Sequence, residues 1–392
     1  MSQTVNTVTR MDAVQAPIVP VIGEMIRRSP GTISLGQGVV HYGPPQEAIA
    51  AARDAAGDAQ THEYQDGSGL PALVDRIVAK LAAENGIDVT GKSRVMVTAG
   101  ANMAFMHAVL AVTRPGDEVI LPVPFYFNHE MAIQMAGCTA VPVLTDNRYQ
   151  LDLAAIRGAI TERTRAIVTI TPNNPSGAVL SESSLKDVSA LCAERGLYHL
   201  SDETYEYFTY ESARHVSAGA FPGAGAHTIS MYSLSKAYGF AGWRVGYVVY
   251  PDALHSAMLK CQDTILICPT VIAQVAGLAA LNVGRTYCEP HVRELAEIRD
   301  VVLGQLSALA PLVEVPAADG AFYGFLKVHS TLSPLALAER LIREHKVAVI
   351  PGSAFGMTEG CSVRVAYGAL QKATVAEGIG RLVTGLRTIL RT

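Results

Sequence analysis

Residues 165–171 read Arg-Ala-Ile-Val-Thr-Ile-Thr and give the clearest indication of the fold. The run is apolar and β-branched without polar alternation, and it is too short for a helix. A strand of this kind is typical of a parallel sheet that is covered by helices on both faces. The segment therefore predicts a buried strand in an α/β fold.

Similar runs flank this segment and alternate with helical patterns. Further strands are predicted at 94–98, 118–121, 139–143, 197–201, 228–233 and 245–250. Helices are predicted at 101–112, 129–136, 181–195 and 252–261. This alternation predicts an α/β fold with a mainly parallel, seven-stranded sheet in a large domain.

The pattern changes towards the C-terminus, where a long helix is predicted at 289–309 and shorter strands and helices follow. We expect a smaller α+β domain built from both termini. The predicted division is an N-terminal arm with part of the small domain (1–45), a large domain (46–288) and the C-terminal small domain (289–392).

The N-terminal region carries no visible export signal. Residues 1–28 lack a basic segment followed by an apolar core and a cleavage site, so a cytoplasmic location is expected. Residues 1–12 are polar and are expected to be disordered, whereas 16–27 suit a short amphipathic helix or an arm on a partner subunit. The uncharged stretch 264–284 is interrupted by polar residues and a proline, so we expect a buried helix of a soluble protein.

Composition narrows the classes of function. The chain has 392 residues, 49% hydrophobic and 17% charged, with a formal net charge of -4. Charged content below the ~25% of typical soluble domains indicates extensive buried surface and favours a homo-oligomer. The mild acidity lacks the basic excess that nucleic acid or an anionic membrane demands. The six cysteines form no CxxC pair, so reduced thiols and no metal site are expected.

One lysine has an unusual setting, Ser233-Leu-Ser-Lys236-Ala-Tyr-Gly-Phe-Ala-Gly-Trp-Arg244. It follows a predicted strand, so its side chain should emerge at the carboxyl edge of the sheet, where α/β folds bind ligands. An amine at this position is suited to forming a Schiff base. The hydroxyl of Ser233 and the guanidinium of Arg244 suit an anionic phosphate.

With these residues the sequence resembles the class I and II aminotransferases, fold-type I enzymes that use pyridoxal 5'-phosphate. The resemblance extends from Leu35-Gly-Gln-Gly38 to Arg364, with the motifs in the family order. It implies that Lys236 is the Schiff-base lysine and that Ser233 and Arg244 bind the phosphate of the cofactor.

The resemblance also assigns residues to the cofactor ring, whose nitrogen must stay protonated and therefore requires a buried carboxylate. Asp202, at the end of a predicted strand, matches that partner, while strand alternation turns Glu203 to the opposite side. Tyr205 matches the tyrosine that binds the phenolic oxygen. In Thr-Pro-Asn-Asn-Pro-Ser-Gly, Asn174 matches the asparagine that reaches the same oxygen and the substrate carboxylate, and Asn173 is expected to serve the turn.

Backbone donors for the phosphate are expected where a strand leads into a helix. The amides of Gly100, Ala101 and Asn102 lie at a predicted helix N-terminus, whose partial positive charge favours an anion. Tyr64 matches the tyrosine that reaches the phosphate of the other subunit. The resemblance therefore implies a homodimer with shared active sites.

The remaining family positions concern the ring face and the substrate. Tyr126, in Pro-Phe-Tyr-Phe-Asn-His, matches the aromatic residue that stacks on the cofactor. His129 is either a partner of Asp202 or a core histidine. Arg364, in Ser-Val-Arg-Val-Ala-Tyr-Gly, matches the arginine that clamps the substrate α-carboxylate, and the backbone of Gly38 is expected close to the same substrate.

These assignments imply a ping-pong transamination between amino-acid and 2-oxo-acid substrates, with Lys236, Asp202 and Tyr205 as catalytic residues. Loop 39–45 departs from the usual acidic-aromatic pattern, and Asn102 stands where an aspartate-specific subgroup has a lysine. An aromatic or neutral amino acid is therefore the expected donor. His41, Tyr42 and Phe322 are either pocket-lining or plain core residues, and the sequence leaves both alternatives open.

Two alternatives stay open at this point. The first is another reaction on the same cofactor, such as C–S β-elimination or cyclisation, since the outcome depends on pocket geometry. The second is a cofactor-binding regulator, but the roughly thirty residues before Gly31 are too few and insufficiently basic for a DNA-binding module.

Overall fold

The computed structural model describes residues 9–316 and 318–391. The strands are β1 (Ile33–Ser34), β2 (Ser93–Thr98), β3 (Glu118–Val123), β4 (Thr139–Leu144), β5 (Thr164–Ile170), β6 (Tyr198–Asp202), β7 (Thr228–Ser233), β8 (Gly246–Pro251), β9 (Val313–Glu314), β10 (Tyr323–Val328), β11 (Val347–Ala348), β12 (Ile350–Pro351) and β13 (Cys361–Ala366). The α-helices are α1 (Ile18–Arg27), α2 (Gln46–Ala55), α3 (Pro71–Lys80), α4 (Ala101–Val112), α5 (Phe127–Met135), α6 (Leu153–Gly158), α7 (Glu182–Arg195), α8 (Leu234–Ala237), α9 (His255–Leu266), α10 (Val271–Val283), α11 (Arg285–Leu306), α12 (Pro334–His345) and α13 (Lys372–Ile389).

Seven strands form one sheet in the order β2-β8-β7-β6-β5-β3-β4. The pairs among β3 to β7 are parallel, and β8 runs antiparallel to both β2 and β7. The predicted seven-stranded, mainly parallel sheet is thereby confirmed, with each predicted strand in it. β5 is buried along almost its whole length, as its apolar sequence predicts.

Three neighbouring parallel strands end at the same edge of this sheet. β5 ends at Ile170, β6 at Asp202 and β7 at Ser233. The loops and the short helix that follow them carry the predicted ligands of the cofactor. Parallel pairing therefore gathers segments that are far apart in the chain, which is why α/β folds bind ligands at this edge.

A second layer of structure comes from the two ends of the chain. β12, β13, β10 and β9 form an antiparallel sheet in that order, and β1 pairs in parallel with β11. The N-terminal strand thus lies against the C-terminal segment. The helix α11 runs without interruption through the predicted boundary at 288, and the division 1–45, 46–288 and 289–392 stays a prediction.

Two local expectations differ from the structure. The uncharged stretch 264–284 is not one helix, because α9 ends at Leu266 and α10 begins at Val271, with the non-helical link containing Pro269. Residues 10–13 form a short 3₁₀ turn capped by the side chain of Thr9 rather than a disordered segment, while 1–8 lie outside the described residues. The amphipathic helix predicted at 16–27 is confirmed as α1.

No helix within residues 9–316 and 318–391 is long and apolar enough to cross a membrane.

Candidate active site

A cavity of about 400 Å³ opens at the carboxyl edge of the large sheet. Eleven of the predicted site residues line it: Gly38, Ala101, Asn102, Tyr126, Asn174, Asp202, Tyr205, Ser233, Lys236, Arg244 and Arg364. The cavity is also lined by Val39, from the loop expected to face the substrate, by Phe127, expected in the core or the pocket, and by residues that were not predicted: Val19, Ile170, Thr204, Ser235, Ala241 and Tyr323. Its size falls within the range of small-molecule sites, about 300–1,000 Å³.

One end of the cavity is built to hold an anion. Helix α4 begins at Ala101, so the first amides of this helix have no partner within the helix and carry its partial positive charge. Gly100 has φ +80°, and a Cβ at that position would collide with the guanidinium of Arg244. Arg244 also lies 3.4 Å from the hydroxyl of Ser235. Amides, hydroxyls and a guanidinium therefore meet at one place, which is the donor set that suits a phosphate.

Lys236 lies on the one-turn helix α8, directly after β7, and its Nζ donates to the carbonyl of Gly38 at 2.6 Å. Burial lowers the pKa of Lys236 to about 8, with further contributions from the positive charges of Arg244 and Arg364, against the opposing effect of Asp202. The amine therefore loses its proton far more readily than an ordinary lysine does. A neutral amine is a nucleophile and a base.

Asp202 is buried at the end of β6 and lines the cavity. One of its oxygens lies 3.1 Å from Nε2 of His129, and the other accepts from the amide of Thr204 at 3.0 Å. Burial raises the pKa of this carboxyl, but the hydrogen bond and charge of His129, together with the hydrogen bonds from Thr204, outweigh it, and the net pKa is lowered. The structure thus maintains a carboxylate inside an apolar sheet, and it places His129 beside Asp202.

Glu203, the alternative carboxylate, faces away from the cavity. Its oxygens accept from Ser201 at 3.0 Å and from Tyr232 at 2.9 Å, and His215 lies 2.9 Å away. The alternation of side chains at the end of β6 explains the separation of the two neighbouring carboxylates.

Arg364 also lines the cavity and is 2% exposed. It donates to Oδ1 of Asn174 at 2.8 Å and to the carbonyl of Gly36 at 2.7 Å, and its Nε has no hydrogen-bond partner among the described residues. The guanidinium lies over the ring of Tyr323, at 4.8 Å from its centroid. A buried cation with an unused donor and no carboxylate partner is prepared for an anionic ligand.

Two tyrosines that line the cavity contact each other. The hydroxyl of Tyr205 lies 2.6 Å from that of Tyr323, and Asn174 donates to Tyr205 at 3.4 Å. Tyr323 was not predicted as a site residue, although its neighbour Phe322 was considered for the pocket. Both residues are fully buried, so the apolar pattern does not distinguish them, and only the contact with Tyr205 shows which of the two reaches the cavity.

The aromatic segment before α5 closes another side of the cavity. Tyr126 lines the cavity and accepts from Asn128 at 2.9 Å. Phe127 also lines it, whereas Phe125 is a core residue. Burial raises the pKa of Tyr126, so its hydroxyl keeps its proton and can donate.

Two predicted residues lie outside the lining. Gly100 lies directly behind it, next to Arg244. Tyr64 is on the surface and is 79% exposed, so the structure does not bring it to the cavity of its own chain.

Of the two alternatives for His41, Tyr42 and Phe322, pocket lining is excluded, because none of the three lines this cavity. His41 lies 3.2 Å from the carboxylate of Glu294 and 3.3 Å from the carbonyl of Gly368. Tyr42 donates to the backbone carbonyl of Lys236 at 2.9 Å, and Phe322 is a core residue. Among residues 38–43, the cavity is lined by Gly38 and Val39.

The residues present fit a phosphorylated pyridine aldehyde. The N-terminus of α4 and Arg244 suit its phosphate, the amine of Lys236 suits its aldehyde, and Asp202 suits its protonated ring nitrogen. The described residues contain no cluster of three or more His, Cys, Asp or Glu side chains able to hold a metal ion. The six cysteines are free thiols. Fold and site together define the class of fold-type I enzymes that use pyridoxal 5'-phosphate.

Comparison with known proteins agrees with this class. Residues 30–382 match the family described as aminotransferase class I and II. The chain is 33% identical to the aromatic aminotransferase ISS1 of Arabidopsis thaliana over 95% of this chain and 94% of that protein. It is 31% identical to an aspartate aminotransferase of Pyrococcus abyssi, over 97% of both chains.

Among solved structures, it is similar to the aromatic aminotransferase of Pyrococcus horikoshii OT3, with a TM-score of 0.87 and 31% identity over 95% of this chain and all of that one. The chain belongs to the aminotransferase class I and II family. It is a pyridoxal 5'-phosphate-dependent aminotransferase.

Proposed function

We propose that the protein transfers the amino group of an aromatic or neutral L-amino acid to a 2-oxo acid by a ping-pong mechanism. The observation that carries this proposal is that Lys236, Asp202 and Arg364 open into one cavity. An amine of lowered pKa, a buried carboxylate and a buried guanidinium with an unused donor are the groups that the two half-reactions require.

Pyridoxal 5'-phosphate, when bound, supplies a ring that accepts the electron pair left when the bond between Cα and hydrogen breaks. In this proposal Asp202 holds the proton on the ring nitrogen, and His129 holds the carboxylate in place from behind. Tyr205 and Asn174 donate to the phenolic oxygen, and Tyr126 stacks on the ring. These roles are supported by the shared cavity lining of Asp202, Tyr205, Asn174 and Tyr126, and by the contact of His129 with Asp202.

The phosphate is assigned to the anion site beside α4. The amides of Ala101 and Asn102 and the hydroxyl of Ser233 are expected to donate to it, and Arg244 supplies the charge. Gly100 is required because a side chain there would displace Arg244. The carbonyl of Gly38 holds the amine of Lys236 at the other side of the cavity.

Lys236 is proposed to move the proton of the reaction. Its Nζ would take the proton from Cα of the amino acid and hold it for return, which a neutral amine can do because burial lowers its pKa to about 8. Arg364 and Asn174 hold the α-carboxylate of the substrate, so that the Cα proton faces Lys236.

The preference for an aromatic or neutral donor follows from the charges of the cavity. Its positively charged side chains, among the described lining residues, are Lys236, Arg244 and Arg364, and each already has a role. Among the described lining residues, no cation is therefore left for a second carboxylate, and Asn102 is neutral. The apolar side chains Val19 and Val39 provide a wall that suits an uncharged substrate.

We also propose a homodimer with shared active sites. Tyr64 is the most exposed of the large hydrophobic side chains described, at 79%, and it does not line the cavity of its own chain. A second subunit that accepts this side chain would explain the exposure and the low charge of the chain. A cytoplasmic location stays a proposal from the sequence, which fractionation of the host cell tests.

The experiment is a spectrophotometric half-reaction with each common amino acid, following the visible band of the bound cofactor without an oxo acid. Aromatic and neutral donors should bleach the band, aspartate should react poorly, and Asn102→Lys should improve aspartate in particular. A protein without a visible band, or a Lys236→Ala variant with unchanged turnover, overturns the proposal. Release of ammonia and an oxo acid over many turnovers without an acceptor would instead establish elimination.

A further inference from the structure

Loop residues 38–43 contact Lys236 at both of its ends. At one end the amine of Lys236 donates to the carbonyl of Gly38 at 2.6 Å. At the other end the hydroxyl of Tyr42 donates to the backbone carbonyl of Lys236 at 2.9 Å. The same short loop thus holds the reactive group and the backbone from which it extends.

The backbone of Lys236 needs such a contact because α8 is only one turn long. A helix of four residues leaves its last carbonyls with few partners of its own. The carbonyl of Lys236 accepts from the amide of Gly239 at a longer 3.3 Å, and the carbonyl of Ala237 accepts from the thiol of Cys288 at 3.1 Å. The bond from Tyr42 is the shortest of these contacts.

Tyr42 is itself rigidly placed. Its ring stacks on His291 with centroids 3.7 Å apart and planes inclined by 8°, and the edge of the His41 ring meets it at 5.7 Å. Burial raises the pKa of Tyr42, so its hydroxyl keeps its proton and can donate. The side chain therefore acts as a fixed donor.

The loop is anchored in turn to α11. Tyr287 donates to the carbonyl of Gly43, and His41 lies 3.2 Å from the carboxylate of Glu294. The loop also approaches α8 so closely that a Cβ at Gly239, whose φ is +67°, would lie 2.5 Å from the carbonyl oxygen of Gly43. Only glycine allows this approach.

We propose that Tyr42 is a positioning residue for Lys236, which sets the reach of the amine by holding the one-turn helix against the loop. This inference rests on the proposed function of Lys236. Residues 39–43 depart from the usual family pattern, and this inference gives them a role in positioning Lys236 instead of in substrate selection.

The test compares Tyr42→Phe with wild type and with Tyr149→Phe. The first change removes the hydroxyl but keeps the ring that stacks on His291. Tyr149 is a matched control, because its buried hydroxyl also donates to a backbone carbonyl, that of Phe325, whereas Tyr42 reaches the carbonyls of Lys236 and, at a longer 3.4 Å, Ala237. Calorimetry of both variants gives their melting temperatures and so shows how much of any effect comes from a general loss of stability.

For Tyr42→Phe we expect kcat to fall about five- to ten-fold, the rate equivalent of one hydrogen bond, with KM for the amino donor nearly unchanged. The pH midpoint of the visible band of the bound cofactor should also move. In cofactor-free full-length protein, the pH midpoint for modification of Lys236 by an amine reagent, read by mass spectrometry, should rise by about half a unit or more.

Tyr149→Phe should have a melting temperature equal to or lower than that of Tyr42→Phe. It should nevertheless leave kcat, the pH midpoint of the visible band and the modification midpoint of Lys236 unchanged. If Tyr42→Phe behaves like Tyr149→Phe in the modification midpoint and in kcat, the inference is wrong. The modification experiment does not depend on turnover, so it decides the role of Tyr42 even if the proposed transamination fails in the half-reaction assay.

Discussion

Nε2 of His129 lies 3.1 Å from Oδ2 of Asp202, and both side chains are buried. His129 stacks on Phe105 with ring centroids 3.9 Å apart and planes inclined by 15°. The imidazole is thus held on one side by an aromatic ring and supports the carboxylate on the other. This arrangement orients Asp202 towards the cavity and keeps it ionised.

Replacing His129 by leucine should therefore raise the pKa of Asp202 and weaken its hold on the ring nitrogen. We expect kcat to fall by about ten-fold, since one charge-assisted hydrogen bond is lost. Steady-state kinetics and the pH titration of the visible band check this. His107→Leu is the matched control, because His107 is fully buried and neither ring nitrogen has a hydrogen-bond partner among the described residues. Equal losses in both variants would contradict the role of His129.

The lowered pKa of Lys236 predicts a pH dependence in cofactor-free protein. The neutral amine attacks an aldehyde and the protonated amine does not, so the rate of cofactor capture should rise with pH and level off above about 8. An ordinary lysine would still gain rate up to its pKa of about 10.4. Stopped-flow absorbance at a series of pH values measures the midpoint. A midpoint near 10 would show that burial does not act on the amine as described.

Gly100→Ala should weaken binding of the cofactor. A methyl group at this position collides with the guanidinium of Arg244 and must displace it from the anion site. We expect the dissociation constant of pyridoxal 5'-phosphate to rise about ten-fold or more, by loss of a charge-assisted contact. Gly116→Ala is the control, since Gly116 also has positive φ but has open space at its Cβ. Equal effects on cofactor affinity would mean that backbone strain, not Arg244, is responsible.

Arg364→Lys should raise KM for every amino donor while leaving the visible band unchanged. Lysine keeps the charge but lacks the paired donors that match a carboxylate, and it cannot maintain the contacts with Asn174 and Gly36. We expect an increase in KM of about ten- to a hundred-fold. A selective effect on one class of side chain would assign Arg364 to side-chain recognition instead.

A stability prediction concerns a buried ion pair behind the site. Lys80 is 2% exposed and its amine donates to Glu206 at 2.5 Å and to Asn85 at 2.8 Å. Lys80→Met leaves the carboxylate without its counter-charge and should cost about 3–5 kcal/mol in the free energy of unfolding. The double replacement Lys80→Met with Glu206→Met should cost less than the single one. Urea unfolding tests this, and simple additivity of the two changes would refute it.

Much of the fold was predictable from local patterns. The seven strands of the large sheet and the helix α4 lie within a few residues of their predicted positions, because periodicity and β-branched runs are properties of consecutive residues. The short helix α6 was not predicted, since six residues carry too little periodicity. The break between α9 and α10 was also missed, because absence of charge does not reveal where a helix stops.

The residues of the candidate site also fall into two groups, those indicated by local pattern and those that are not. Lys236, Asp202 and Arg244 stand in motifs whose residue types and spacing indicate their chemistry, and parallel strands bring their loops to one edge. The direction of a loop side chain has no such signal. Tyr42 and His41 were candidates for the pocket, yet they contact α11. His41 lies beside Glu294 and Tyr42 stacks on His291, both some 250 residues further along the chain.

The order of residues alone therefore predicts the class of fold and, through the family resemblance of its motifs, the cofactor chemistry and the reactive lysine, since each depends on local pattern. Only the tertiary structure decides that Tyr323 faces the cavity, that Tyr42 holds the backbone of Lys236 and that His129 supports Asp202. These contacts depend on how distant segments pack, and packing is determined by shape and volume that no single segment contains.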